Sequence, residues 1–121
     1  MHSLEEAREF FEVLEHEQRA LSMKLEMVNG AVRLFDTLKK LDLLEELVGD
    51  SKDEWMQEGV WLERQHVLAL VLDDVEDDIL LLDREIAAGN EIDLEPLAIR
   101  GLFRVFAVGR LFDIGDEEPY E

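Results

Sequence analysis

The chain has 121 residues, 47% of them hydrophobic, and its 31 acids against 12 bases give a formal net charge of −19. That length supports one hydrophobic core, and that apolar content separates the chain from a disordered acidic tail. There is no cysteine, which excludes disulfides, zinc–thiolate sites and thiol nucleophiles. So negative a surface repels nucleic acid and anionic membranes and attracts basic partners.

The longest unbroken apolar run, Val67–Leu72, is far short of the ~20 residues that cross a bilayer. Met1-His2-Ser3 followed by acids lacks the basic-plus-apolar layout of a signal peptide. We therefore expect a cytoplasmic protein that contacts neither membrane nor nucleic acid directly.

Ser3 is placed to cap a first helix, and Ser3 with Glu6 forms a capping-box pattern. Apolar residues then step by threes and fours through Phe11, Leu14, Leu21, Leu25, Val28, Val32 and Phe35, with Gln18 the one polar member of the seam. Such a seam packs on the chain's own helices or on a second copy, so a homodimer is expected. Asn29-Gly30 is a turn signal inside this stretch. Either one helix runs from about Leu4 to Val48 with a weak point at Gly30, or two helices break there. The unbroken phase across Gly30 favours the continuous helix.

Gly49 is expected to end that helix, with Asp50 or Ser51 capping the next and Asp53 and Glu54 in its first turn. Gly59 kinks or restarts it, and Trp55 and Trp61 read as core or interface anchors. From Trp61 to Gly89 we expect the central helix, with a seam of Leu68, Leu72, Val75, Ile79, Leu82 and Ile86. Asp93 and Pro96 then open a last element, residues 97–114. It is apolar on almost every face, so as a helix it would be buried. Its aromatic and β-branched residues also allow a strand, but helical neighbours favour a helix. The fold class is all-α, three to five helices in a single domain over 1–114, followed by a frayed acidic tail over 115–121.

The most charged feature lies inside the central helix: Asp73, Asp74, Glu76, Asp77 and Asp78. Asp73 and Asp77 are four apart, as are Asp74 and Asp78, and like charges at that spacing destabilise a helix. Water, a divalent cation or arginine can offset this. Arg100 and Arg104 are themselves four apart in a segment that is net positive, and we expect them to pair internally with the box. If a metal binds, Asp73, Asp74, Asp77 and Asp78 would be its ligands, and magnesium suits carboxylate oxygens.

All-α nucleotide pyrophosphohydrolases carry a Glu-Glu-x-x-Glu stretch and a later Glu-x-x-Asp stretch. Glu5-Glu6-Ala7-Arg8-Glu9 matches the first half, and neither it nor the box is followed by the second half at suitable spacing. Glu63 and His66 form one Glu-x-x-His pair, whereas di-iron bundles need two pairs and two further Glu.

The reading that follows is a non-enzymatic acidic interaction or regulatory protein, without cofactor. It binds a basic surface of a larger machine, such as one that handles nucleic acid, through Asp73, Asp74, Glu76, Asp77 and Asp78. Two alternatives stay open: a magnesium-dependent all-α nucleotide pyrophosphohydrolase, and a purely structural helical subunit.

Overall fold

The computed structural model of the chain describes residues 3–49, 53 and 56–112. Its elements are helices: α1 (Leu4–Lys40), α2 (Leu44–Leu47), α3 (Glu58–Ala88) and α4 (Glu95–Phe112). There is no strand among the described residues, so the fold is all-α.

α1 starts where its chemistry allows. Ser3 Oγ accepts from the Glu6 N–H at 3.1 Å, and Glu6 Oε1 accepts from the Ser3 N–H at 2.9 Å, which satisfies two amides at the helix start. The helix then runs unbroken through Asn29 and Gly30. It ends at Lys40, earlier than the expected Val48. Lys39 and Lys40 lie in its last turn, where cations complement the helix dipole. Asp42 follows in the left-handed conformation, φ 59°, which Asp tolerates better than most residues. Gly49, also left-handed, closes the single turn of α2 instead of the long helix. α3 begins at Glu58 with Gln57 as its flanking residue, and Gly59 lies in its first turn. Asp53 is outside any helix. The capping role expected of Asp50 or Ser51, Glu54, Trp55 and the 115–121 tail all fall outside the described residues.

α1 and α3 are antiparallel. Lys39 meets Glu58, Asn29 meets Gln65 and Gln18 meets Glu76, so contacts descend one helix as they climb the other. The core of α1 is one residue in every seven: Ala7, Leu14, Leu21, Val28 and Phe35. Leu68, Val75 and Leu82 repeat that spacing on α3. Phe11, Leu25 and Val32 of the first seam, and Leu72, Ile79 and Ile86 of the second, pack half-buried around these residues. Each fully buried Leu or Val contributes roughly 1.5–3 kcal/mol. Ile92, Leu94 and Leu97, in and after the α3–α4 connection, join the same core.

α3 stops at Gly89, which is left-handed at φ 73°. Asp93 Oδ1 then accepts from the Glu95 N–H at 3.2 Å at the entry to α4. α4 returns antiparallel to α3, since Asp78 meets Arg100 and Arg64 meets Leu111. It therefore runs parallel to α1. The burial expected for this segment is only half realised. Leu97 and Arg104 are buried, while Leu102, Phe103, Val105 and Phe106 are exposed. The α1–α3 pair covers one side of α4, and no described element covers the other. No helix among the described residues is long and apolar enough to cross a membrane.

Candidate functional site

Arg104 joins the three long helices. It sits on the inward face of α4 with its side chain 4% exposed. Its Nε donates to Glu17 Oε2 at 2.8 Å and its Nη2 to Glu17 Oε1 at 3.0 Å, a two-pronged bond to α1. Its Nη1 donates to Asp74 Oδ2 at 2.7 Å and to Asp78 Oδ2 at 2.8 Å, both on α3. Arg100, one turn earlier, holds the other Asp78 oxygen, with Nη2 to Oδ1 at 2.8 Å. Asp78 is itself buried, its side chain 5% exposed.

These charges hold one another in place. Burial pulls the Arg104 pKa down, but its bonds to Glu17, Asp78 and Asp74 outweigh that and keep it above the ordinary arginine value. The bond to Asp78 likewise raises Arg100, against a smaller lowering by burial. Both guanidinium groups stay charged at any working pH.

The acidic box is thus divided by helix geometry. Asp74 and Asp78 face Arg104 and are committed to it, Asp78 buried and Asp74 at the edge with its side chain about half exposed. Glu76, half-buried on another side of α3, accepts from Gln18 Nε2 at 3.1 Å. Asp73 and Asp77 are exposed to water. The four carboxylates considered for magnesium therefore do not share a direction. Among the described residues no three acidic or imidazole groups converge as a metal site requires. Glu5, Glu6 and Glu9 are exposed on α1, and Glu63 and His66 are exposed on α3.

Two participants escaped the sequence reading. Glu17 is one of several charges that flank the α1 seam in sequence, and only the packing of α4 singles it out. Arg64 is buried, its guanidinium between the rings of Trp61 at 4.7 Å and Phe112 at 4.9 Å, with Nε donating to the Leu111 carbonyl at 3.0 Å. A cation at the carboxyl end of a helix is favourable. Its signal was its phase, one turn before Leu68 on the core side of α3.

Two largely apolar cavities open between the helices. One of about 350 Å³, between α1, α2 and the start of α3, is lined by apolar groups including Leu34, Phe35, Leu38, Leu47 and Trp61. Another, of about 240 Å³, lies between α3 and α4 beside Arg104, with Leu70, Asp74 and Phe103 on its walls. No protein-family model, curated protein or solved structure matches the chain.

Proposed function

We propose that this chain is a non-enzymatic acidic helical protein that binds a basic surface of a larger protein. The observation that carries the reading is how its charge is distributed. Arg64 and Arg104 are buried, so two of the 12 bases do little to offset the surface excess behind the −19 net charge. Asp73 and Asp77, adjacent on one exposed face of α3, are the part of the box left over for a partner. A rigid helix presenting carboxylates one turn apart suits lysine and arginine side chains that otherwise meet phosphates.

The test is affinity capture with the purified chain, followed by titration of the captured basic protein. The complex should dissociate between about 0.1 and 0.5 M salt, because surface attraction is screened over that range. Replacing Asp73 and Asp77 by Asn should weaken it. Binding that ignores both salt and these substitutions refutes the proposal. So does magnesium-dependent nucleotide hydrolysis that is lost with the Asp74→Asn and Asp77→Asn substitutions, since that outcome belongs to the pyrophosphohydrolase alternative.

A further inference from the structure

The outward side of α4 is the least explained surface of the molecule. Leu102 and Phe103 are each 70% exposed, Phe106 66%, Val105 65% and Ile99 49%. At ~200 Å² for a large side chain, these residues together present on the order of 600 Å² of apolar surface. That equals the upper end of the largest patch found on a typical monomer, roughly 300–600 Å². It also approaches the ~800 Å² that each partner commonly buries in a stable complex. Leu70, exposed on the α3 wall of the cleft that Phe103 lines, extends it.

We infer that a second copy of this chain covers this face, with the two α4 helices packed antiparallel about a two-fold axis that passes between Leu102 and Phe103. Three observations favour a second copy as the occupant. First, Ile99, Leu102 and Phe106 follow the three-and-four spacing of a helix–helix seam. Second, the charged ends of the seam are self-complementary. Glu95 and Arg110 are both exposed and lie about 22 Å apart along the helix, equidistant from the proposed axis. In the antiparallel pair Glu95 of each copy faces Arg110 of the other, Ile99 faces Phe106, and Leu102 faces Phe103. This is the isologous pattern that a two-fold dimer requires. Third, Arg100 and Arg104 are turned toward α3 and α1, so the outward face of α4 carries one acid, Glu95, and one base, Arg110, in a chain of net charge −19. It is the surface through which two such chains approach with least repulsion. The inference is independent of the acidic face on α3.

Sedimentation equilibrium of the full chain at about 1–100 μM tests it. The wild type should be a dimer. Leu102→Glu and Phe106→Glu should each weaken association at least a hundredfold, because a charge would be buried in the seam. Both residues are exposed in the single chain, so circular dichroism should report the same helix content. Glu95→Arg should weaken the dimer roughly tenfold by setting like charges opposite each other at two symmetric contacts. The double substitution Glu95→Arg with Arg110→Glu should restore it. A monomeric wild type at 100 μM, or a dimer that survives both seam substitutions, overturns the inference. Failure of the double swap to rescue overturns the antiparallel register.

Discussion

Arg104 is the residue on which the packing of α4 depends most. Removing it leaves buried Asp78 with Arg100 as its remaining counter-charge and takes the guanidinium from Asp74 and Glu17, so Arg104→Ala should destabilise by about 3 kcal/mol in urea unfolding. Arg100, whose side chain is 42% exposed, has water as a substitute partner, and Arg100→Ala should cost only about 1 kcal/mol. The pH dependence has a definite sign. A base whose pKa is raised on folding, as that of Arg104 is, contributes fully below its unfolded value and loses that contribution only as pH climbs through the folded value. The stability difference between wild type and Arg104→Met should therefore stay level from about pH 7 to 10. A difference that shrinks across that range would mean Arg104 is not held as described.

Glycines separate the elements by conformation rather than by composition. Gly30 is helical, and a methyl group there meets nothing nearer than an Arg33 nitrogen at 3.9 Å. Gly30→Ala should stabilise the protein by roughly 0.5–1 kcal/mol. Gly89 has open space around it too, but its φ of 73° penalises any side chain. Gly89→Ala should therefore cost about 1–2 kcal/mol. Thermal unfolding of the two variants checks both signs together. The same contrast explains what could be read in the chain. Seam phase carried α1 correctly through Asn29-Gly30. The end of α1 was placed too late because Leu44, Leu47 and Val48 continue an apolar pattern, while the deciding event is the left-handed turn at Asp42. The lysine pair at 39 and 40 was the available sign of a helix end.

At the scale of the whole molecule, the −19 net charge opposes folding and self-association alike. Salt that shortens the screening length from ~10 Å at 0.1 M to ~3 Å at 1 M should raise the urea midpoint, because repulsion among surface acids weakens more than the buried cluster does. A complex with a basic partner should respond in the opposite sense. Titrating both against salt separates the two effects in one preparation.

The chain's own periodicity determined the helical class and most of the seam residues, and local side-chain chemistry determined the start at Ser3 and the stop at Gly89. These are local properties, set by side chains within one or two turns of each other. The complementarity of Arg100 and Arg104 with the 73–78 box was also legible, since unpaired interior charge is too costly to leave. Only the tertiary structure decided which carboxylates those arginines take. That choice depends on the rotation of α3 about its axis, which turns Asp74 and Asp78 toward α4 and leaves Asp73 and Asp77 in water. Tertiary packing likewise brought Glu17 to Arg104 from 87 residues away and left one side of α4 uncovered by any described element. Two helices offer a single groove, and an element apolar on every face can fill it with only one of them.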